Sequence, residues 1–336
     1  MKIVRTDCEL QTPVVDARLR EQGHELVLLP DGVPEAQLTE AVRDADLLLM
    51  CYTPITRPVL EAASRLKGIV KYGVGIDAID ILAAIERGIP VVNIPEYAEE
   101  TVAEGAFALL IALAKKLQPL SRAMQKDGWV WPERQWLGSD ISGKTLGIVG
   151  FGKIGQSVAR MAGAGFRANV IAYNPGKSDA EIAAAGATKR DDLHQLLAES
   201  DFVSLHCTLN ESTYGMIGEA ELQAMKPSAL LINTSRGALV DQDALVRALE
   251  EGWIAGAGLD VFSNEPLARS GHPMSRLFDL DQVIITPHLT FYTHEAMHRL
   301  ELETLERCAE MLSGRPTLVK SHDPRLRAQK NGVIFA

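Results

Sequence analysis

The sequence predicts an α/β protein built from two parallel sheets, each covered by helices on both faces. Short apolar runs alternate with helical stretches along residues 1–95, and the alternation resumes at residue 145. This pattern is typical of parallel strands joined by helical crossovers. A length of 336 residues, with 46% hydrophobic and 23% charged residues, fits a globular protein of about two domains. We therefore predict two doubly wound domains.

Residues 1–95 supply the first predicted sheet. Its short apolar strands and the helices between them follow the pattern of a parallel sheet. The candidate strands are Ile3–Thr6, Glu25–Leu29, Asp46–Cys51, Gly68–Tyr72 and Val91–Ile94, and the candidate helices are Pro13–Glu21, Glu35–Arg43, Arg57–Ser64 and Ala78–Arg87. This half contains no G-x-G-x-x-G fingerprint, so we expect it to bind a substrate rather than a nucleotide.

A glycine-rich turn lies near the middle of the chain. The apolar strand Thr145–Val149 leads into Gly150-Phe151-Gly152-Lys153-Ile154-Gly155, and a helix is predicted from Gln156 to Ala164. This spacing between a strand and a helix is that of a dinucleotide-binding Rossmann fold, whose glycines let the backbone approach a pyrophosphate. About 140 residues precede the turn, so the chain builds another structure first.

The remaining pattern completes the second sheet. Further strands are predicted at Asn169–Tyr173, Phe202–His206, Ala229–Thr234, Ala255–Val261 and Val283–Thr286. A last helix from His294 to Leu312 ends at Ser313-Gly314, because glycine favours the left-handed conformation that ends helices.

A tryptophan-rich segment stands outside the strand pattern. It follows a helix predicted from Thr101 to Gln118, runs from Gly128 to Trp136 and holds three of the four tryptophans. Such a segment needs burial, and we weigh packing against a second subunit equally with packing on its own domain.

Charge and cysteine content exclude several classes of function. A formal charge of −10 argues against a nucleic-acid or anionic-membrane partner. No apolar run approaches the ~18 residues of a membrane span, and the first residues lack a signal-peptide core. The four cysteines, Cys8, Cys51, Cys207 and Cys308, are scattered without a C-x-x-C pair. We therefore expect free thiols, no metal site and a cytoplasmic location.

Three polar residues follow predicted strands: Arg236, Glu265 and His288. Ligands of doubly wound sheets bind beyond the carboxyl ends of strands, so these residues could converge beside a nicotinamide. Arginine can hold a carboxylate through two hydrogen bonds. Histidine can give a proton to a carbonyl oxygen as hydride arrives, and a carboxylate partner favours its protonated form. Each residue alone also fits an ordinary structural role, but together they suit hydride transfer to a 2-oxo acid.

The chain resembles the D-isomer-specific 2-hydroxyacid dehydrogenases from about residue 45 to 315. The matching motifs are Tyr72-Gly73-Val74-Gly75-Ile76-Asp77, Val102-Ala103-Glu104, the segment from Gly143 to Gly152, Asn233-Thr234-Ser235-Arg236-Gly237, Asp260-Val261-Phe262, Glu265-Pro266-Leu267 and Thr286-Pro287-His288. The resemblance implies an NAD(P)-binding Rossmann domain at residues 100–290. It would be inserted into a flavodoxin-like substrate-binding domain made from residues 1–99 and 291–336. The implied reaction reduces a 2-oxo acid to a (2R)-hydroxy acid, and a homodimer is implied.

The same resemblance implies a role for each matching position. Arg236 would bind and polarise the substrate, His288 would be the acid/base, and Glu265 would hydrogen-bond its imidazole. The backbone N–H groups of Val74 and Gly75 would receive the substrate carboxylate. The cofactor would be held by Gly150, Gly152, Lys153, Ile154, Gly155, Asn174, His206, Cys207, Thr213, Thr234, Ser235, Arg236, Asp260 and His288. Of these, Thr234 and Asp260 would lie at its nicotinamide end.

Asn174 ends the second central strand, where NAD-preferring chains place an acid that hydrogen-bonds the ribose hydroxyls. Asparagine removes the charge that would repel a 2′-phosphate, and Lys177 could approach such a phosphate. No arginine follows, however, and Asn174-Pro175 otherwise resembles the Asp-Pro of NAD users. We favour NAD and keep NADP as the alternative.

Phe291 and Tyr292 follow the histidine motif and resemble an aromatic stretch of the C-terminal-binding-protein branch. They would either line the substrate pocket or pack beneath the final helix. That branch also supplies the alternative function, a non-catalytic NAD(H)-sensing scaffold. The lack of a long disordered extension favours the enzyme.

One motif points elsewhere. The segment from His294 to His298 reads H-E-x-x-H, a zinc-protease signature that would place both histidines on one helix face. It lacks an evident third ligand and opens a helix that already has a structural role, so we expect no metal there.

Overall fold

A computed structural model describes all 336 residues, which divide into two compact units. Unit 1 comprises residues 1–98 and 293–336, and unit 2 comprises residues 99–292. Each unit contains a parallel sheet flanked by helices, as the strand–helix alternation predicts. No helix combines the length and the apolar character that crossing a membrane requires.

The sheet of unit 1 has five parallel strands in the order β2-β1-β3-β4-β5, the flavodoxin-like arrangement. The strands are β1 (Lys2–Arg5), β2 (Glu25–Leu28), β3 (Leu47–Met50), β4 (Ile69–Lys71) and β5 (Val91–Asn93), and the helices between them are α1 (Pro13–Glu21), α2 (Glu35–Val42), α3 (Arg57–Ala62) and α4 (Ile81–Glu86). Strand β3 is wholly buried, because helices cover both faces of its continuous apolar run. Helix α4 begins later than predicted, at Asp80, whose carboxylate caps it by accepting from the N–H of Ala83.

Unit 2 holds a seven-stranded parallel sheet. Its strands are β6 (Thr145–Val149), β7 (Asn169–Tyr173), β8 (Thr188–Lys189), β9 (Phe202–Leu205), β10 (Leu230–Asn233), β11 (Gly256–Leu259) and β12 (Val283–Ile285). The order β12-β11-β10-β9-β6-β7-β8 is the Rossmann arrangement, extended by one strand. The chain reverses direction across the sheet between β6 and β9, so the crevice beyond their carboxyl ends is the place for a ligand.

The helices of unit 2 differ from the prediction at two points. They are α5 (Glu99–Ala114), α6 (Leu117–Asp127), α7 (Lys153–Arg160), α8 (Asp179–Ala184), α9 (Leu193–Glu199), α10 (Glu219–Ala224) and α11 (Gln242–Glu250). The single helix predicted from Thr101 to Gln118 is wrong, because Lys116 adopts a left-handed φ of 50° and a second helix starts after it. Pro119 lies in the first turn of that second helix, where its missing N–H has no helical partner to lose. Helix α7 begins three residues earlier than predicted and continues into a π-helical turn, Met161–Gly165.

The tryptophan-rich segment stays on the surface of unit 2. Trp129 and Trp131 are 70% and 73% exposed and contact each other edge to face, with ring centroids 6.3 Å apart. No residue of the preceding helix α6 is buried. Packing of these two rings on their own domain is therefore the wrong alternative, while Trp136 is half-buried.

The C-terminal residues complete unit 1. They form α12 (His294–Ser313), β13 (Thr317–Val319), α13 (Pro324–Arg327) and β14 (Val333–Phe335). Helix α12 ends at Gly314 in the left-handed conformation, with φ 73°, as predicted. The side chain of Glu301 accepts from the N–H of Val14 at 2.8 Å, and Gln329 hydrogen-bonds both backbone groups of Val91. The two ends of the chain are thus joined in one unit.

Candidate active site

The glycine turn lies at the carboxyl end of β6, in the crevice between β6 and β9. Gly150 has φ 92°, a conformation that favours glycine, and a Cβ there would lie 2.4 Å from the backbone N of Cys207. A Cβ on Gly155 would lie 2.4 Å from the carbonyl oxygen of Gly150. Gly152 differs, because a Cβ there would meet nothing within 4 Å. Two glycines therefore close the turn, and the third leaves open space at the start of α7.

That open space suits a pyrophosphate. Gly152 is the N-cap residue of α7 and offers no side chain to the first N–H groups of the helix. Unsatisfied N–H groups and the helix dipole at such an end attract anions. After β10, which lies two strands from β6 in the sheet, the hydroxyl of Thr234 is buried and has no hydrogen-bond partner within the chain. An open helix end together with an orphaned polar atom fits a dinucleotide.

The loop after β9 forms the other wall of this crevice. His206 donates its backbone N–H to Val149 and holds its ring Nε2 2.8 Å from the hydroxyl of Ser204. Burial lowers the pKa of His206 to about 4, so the ring is neutral near pH 7. Burial likewise raises the pKa of Cys207 to about 11, which keeps its thiol protonated. This wall is uncharged.

The other residues expected to hold the cofactor occupy several loops of unit 2. Lys153 is half exposed and its ammonium lies 3.1 Å from the carboxylate of Glu99, while Ile154 packs on the core beneath α7. Thr213 bonds the carbonyl oxygen of Thr208, which closes that loop. Asn174 directly follows β7 and is half-buried.

Arg236 follows β10 in a loop held by its neighbours. The side chain of Asn233 accepts from the N–H of Ser235 and donates to the carbonyl oxygen of Arg236. The hydroxyl of Ser235 donates to the carbonyl of Cys207 at 2.7 Å, which ties this loop to the crevice wall. A Cβ on Gly237 would overlap the backbone of Phe262, so only glycine allows this approach. The Arg236 loop thus lies directly against the loop that carries Glu265.

Glu265 and His288 form a hydrogen-bonded pair. The Nδ1 of His288 donates to Oε2 of Glu265 at 2.7 Å, and Oε1 accepts from the N–H of Phe262 at 2.9 Å. The side chain of His288 is 23% exposed and that of Glu265 is 32% exposed. Glu265 thus fixes the orientation of the imidazole through Nδ1. This arrangement can stabilise an imidazolium and deliver its proton.

His288 itself has an unusual backbone. Its φ is 56°, in the left-handed region that non-glycine residues rarely adopt. The loop from Thr286 to Thr290 that contains it is held by the buried carboxylate of Asp260, which accepts from the hydroxyls of Thr286 and Thr290. Phe291 is buried and lies edge-on to the imidazole, with ring centroids 6.4 Å apart, whereas Tyr292 is 47% exposed.

Val74 and Gly75 belong to unit 1, in the loop after β4. Neither backbone N–H donates to another group of the chain, although the carbonyl oxygen of Val74 accepts from Asn93 at 2.6 Å. Val74 is 39% exposed. Two consecutive N–H groups without partners in the chain remain available to an acceptor.

Sequence reasoning missed several residues that shape these loops. Thr290 and Ser204 have structural roles that no spacing in the sequence reveals. Asn233 and Thr286 appear in the sequence only as members of matching motifs, which say nothing of their hydrogen bonds. His294 and His298 are exposed on α12, and no group of three histidine, cysteine or acidic side chains in the structure could hold a metal. All four cysteines are unpaired.

A Rossmann sheet with an open glycine turn, next to a carboxylate-oriented histidine and an arginine, defines a nicotinamide-dependent dehydrogenase. Residues 107–290 match the family described as D-isomer specific 2-hydroxyacid dehydrogenase, NAD binding domain. The chain is 44% identical over 294 residues to a glyoxylate reductase of Thermococcus litoralis, covering 85% of this chain and 87% of that protein. It belongs to the D-isomer specific 2-hydroxyacid dehydrogenase family.

Solved structures agree with this assignment. A D-lactate dehydrogenase from Aquifex aeolicus, solved with NAD and lactic acid, superposes with a TM-score of 0.83 at 31% identity, covering 93% of this chain and 96% of that one. An acyclic imino acid reductase in complex with NADPH and D-Arg superposes equally well, at 0.83 and 32% identity, covering 94% and 98% of the two chains. The resemblance noted from the motifs is confirmed.

The chain is therefore an oxidoreductase that acts on CH–OH groups with a nicotinamide cofactor, and it interconverts 2-hydroxy acids and 2-oxo acids. The relatives named above are enzymes, which favours catalysis over the scaffold alternative.

Proposed function

We propose that this protein is an NADH-dependent reductase of small 2-oxo acids, with glyoxylate as the first candidate substrate. The observation that carries the proposal is the 2.7 Å hydrogen bond between His288 and Glu265 at the carboxyl edge of a Rossmann sheet. The similarity to glyoxylate reductases supports the choice of substrate.

In this proposal each side chain has one task. Arg236 binds the substrate and polarises its carbonyl group, because a guanidinium offers paired donors. The N–H groups of Val74 and Gly75 receive the carboxylate. His288, held by Glu265, gives its Nε2 proton to the carbonyl oxygen as it becomes an alkoxide. A bound nicotinamide supplies the hydride.

The cofactor would be held by unit 2 and the substrate carboxylate by unit 1. Gly150, Gly152, Lys153, Ile154 and Gly155 would surround the pyrophosphate. Asn174 would face the ribose, with His206, Cys207 and Thr213 along the adenosine half. Thr234, Ser235 and Asp260 would border the nicotinamide half. These assignments keep residues 100–290 as the cofactor domain and residues 1–99 with 291–336 as the substrate domain.

NAD is the preferred cofactor in this proposal. Lys177, the cation closest in sequence to Asn174, lies 3.6 Å from the carboxylate of Glu181, which offsets its charge. Arg190 makes a bidentate pair with Glu199. Both cations are thus paired with carboxylates, which makes them less available to a 2′-phosphate. The ratio of kcat/KM for NADH and NADPH tests this preference, and Asn174→Asp should raise it several-fold. A wild-type preference for NADPH would contradict the proposal.

The function is tested by turnover of a substrate series with His288→Ala. Glyoxylate, hydroxypyruvate, phenylpyruvate and branched 2-oxo acids are assayed with both reduced cofactors. We expect His288→Ala to lower kcat by roughly 10²–10⁴-fold while NADH still binds, because general acid catalysis contributes that much. His298→Ala, at an exposed position of α12, is the matched control. Turnover near the wild-type rate in His288→Ala would remove the histidine from its role.

The exposed tryptophans support a homodimer. Trp129, Trp131 and Leu137 are 70%, 73% and 69% exposed within one segment of the chain, and large exposed apolar side chains favour protein contacts. Light scattering should give a dimer mass for the wild type and a monomer for Trp129→Ser with Trp131→Ser. A wild-type monomer would contradict this. The unpaired cysteines suit a reducing compartment, and we propose the cytoplasm.

A further inference from the structure

One buried amide contacts the loop from Gly73 to Gly75 in unit 1. Asn93 is the last residue of β5, which lies beside β4 in the sheet, and it is 3% exposed. Its side-chain Nδ2 donates to the carbonyl oxygen of Val74 at 2.6 Å. The next residue, Ile94, donates its backbone N–H to the carbonyl oxygen of Gly73 at 3.0 Å. Two consecutive carbonyl groups of the loop are therefore bonded to the end of β5.

These two bonds fix the direction of the N–H groups that belong to the same peptides. A peptide group is planar, and in the trans form its C=O and N–H point in opposite directions. Both peptides of the loop are trans. The bond to the carbonyl of Gly73 therefore orients the N–H of Val74, and the bond to the carbonyl of Val74 orients the N–H of Gly75. Both N–H groups point away from β5, and neither has a partner in the chain.

The side chain of Asn93 is held in this place as a hydrogen-bond donor. Exchanging its amide oxygen and nitrogen would bring two acceptor oxygens to 2.6 Å, so the carbonyl of Val74 fixes the orientation of the amide. Its Oδ1 is buried and has no hydrogen-bond partner in the chain, which is unfavourable. An apolar side chain would avoid that cost but could not hold the Val74 carbonyl.

We propose that Asn93 is a positioning residue for the substrate, which directs the N–H of Gly75 towards the substrate carboxylate by holding the carbonyl of Val74. The proposal rests on the proposed role of the Val74 and Gly75 N–H groups. Without the amide bond this peptide is free to rotate, and a hydrogen bond weakens steeply when its donor points away from the acceptor. The loss should appear in KM for carboxylate substrates and not in cofactor binding.

Two substitutions of Asn93 test the proposal in the full-length protein. Asn93→Ala removes the donor, and Asn93→Asp keeps the shape but presents an acceptor to the Val74 carbonyl. Near pH 7 each should raise KM for glyoxylate by roughly 10-fold and change kcat by less than about twofold. The Kd for NADH, measured from protein fluorescence, should stay within about twofold. The matched control is Asn169→Asp, which removes an amide bond to the carbonyl of Gly143 at an exposed position of β7.

A comparison of two substrates separates positioning from general support of the fold. Methyl glyoxylate has the same reacting carbonyl as glyoxylate but no carboxylate, so it gains less from a correctly directed N–H. The ratio of kcat/KM for glyoxylate to that for the ester should therefore fall by roughly 10-fold in both Asn93 variants. A smaller fraction of folded enzyme lowers both rates equally and leaves this ratio unchanged.

Acid pH gives a second readout for Asn93→Asp. Burial raises the pKa of a carboxyl group, and the protonated form can donate its O–H to the Val74 carbonyl. KM of this variant relative to the wild type should recover as pH falls from about 8 to about 5, whereas Asn93→Ala should show no recovery. Thermal unfolding at each pH shows which variants are folded. If Asn93→Ala does not fold, the recovery of Asn93→Asp decides the question.

Three results would overturn the proposal. Unchanged KM in the folded Asn93 variants would show that the loop directs its N–H groups without the amide. An equal loss for glyoxylate and its ester would assign Asn93 to the fold alone. A KM of Asn93→Asp that does not recover in acid would remove the donor role. The proposed function fails differently, because Val74→Pro would then leave KM unchanged or His288→Ala would turn over at the wild-type rate.

Discussion

Two loops that follow parallel strands differ in whether their hydrogen-bond donors have partners within the chain. In unit 2, four donors of the loop from Thr286 to Thr290 are bonded to one buried carboxylate. In unit 1, the N–H groups of Val74 and Gly75 have no partner in the chain. The difference matches the two tasks that we propose for these loops. A loop that positions a reacting side chain needs its own bonds satisfied, whereas a loop that binds an anion must keep donors open.

Among the tests of this comparison, the largest expected effect comes from removing an open donor. Val74→Pro deletes one N–H, and a hydrogen bond to a charged group contributes roughly 1.5–3 kcal/mol. KM for the 2-oxo acid should therefore rise by roughly 10- to 100-fold, with NADH binding unchanged. Val74→Ala keeps the N–H and is the control. Equal KM values for the two variants in steady-state assays would mean that the open donors do not bind substrate.

The loop after β9 differs from both, because it contains a buried neutral histidine, His206, whose protonation should affect stability. The pKa of His206 is lowered by burial from 6.5 to about 4, so the unfolded chain binds the extra proton between these values. Stability should thus fall as pH drops from about 6.5 to 4, by about 2 kcal/mol after allowing for partial exposure. Urea unfolding at pH 7 and pH 5 measures the difference. His206→Gln should reduce this dependence, and an unaltered dependence in that variant would assign it to other groups.

The loop from Thr286 to Thr290 also packs against helix α5, so a larger residue on that helix should displace it. A Cβ on Gly105 of α5 would lie 2.7 Å from the Cβ of Thr290, whereas one on Gly163 would make an ordinary contact of 3.6 Å with Val170. Gly105→Ala should therefore cost roughly 1–2 kcal/mol of stability despite its better helix propensity. It should also lower kcat. Gly163→Ala should be neutral in both assays. Equal stability of the two variants would show that α5 gives the loop no firm support.

The smallest effect concerns the strain at His288 itself. Both His288→Ala and His288→Gly remove the imidazole, but only glycine adopts φ 56° without cost. His288→Gly should be more stable than His288→Ala by about 1 kcal/mol in chemical denaturation. If alanine is the more stable of the two, the loop does not hold the backbone against its preference.

The sequence predicts elements better than contacts. The apolar strands of both sheets, the strand–turn–helix context of Gly150 and the capped end of α12 all follow from local patterns that the structure repeats. The break at Lys116 does not, because a lysine in the left-handed conformation has no local signature. The four bonds to Asp260 are equally hidden, since they join the side chain that follows β11 to side-chain and backbone donors of the loop after β12, and the sequence does not state that these two strands pair. The exposure of Trp129 and Trp131 likewise depends on what the fold leaves uncovered.

Unit 1 is built from two separate segments of the chain, and this has a consequence for folding during synthesis. Its first 98 residues leave the ribosome early, yet Val14 and Val91 await hydrogen-bond partners on α12 and beyond α13. Roughly 190 residues of unit 2 are made in between and can fold as a unit of their own. Once unit 2 has folded, the chain that separates the two segments of unit 1 behaves as a shorter loop, which lowers the entropy cost of bringing those segments together. Residues 1–98, although made before unit 2, are thus completed only after it.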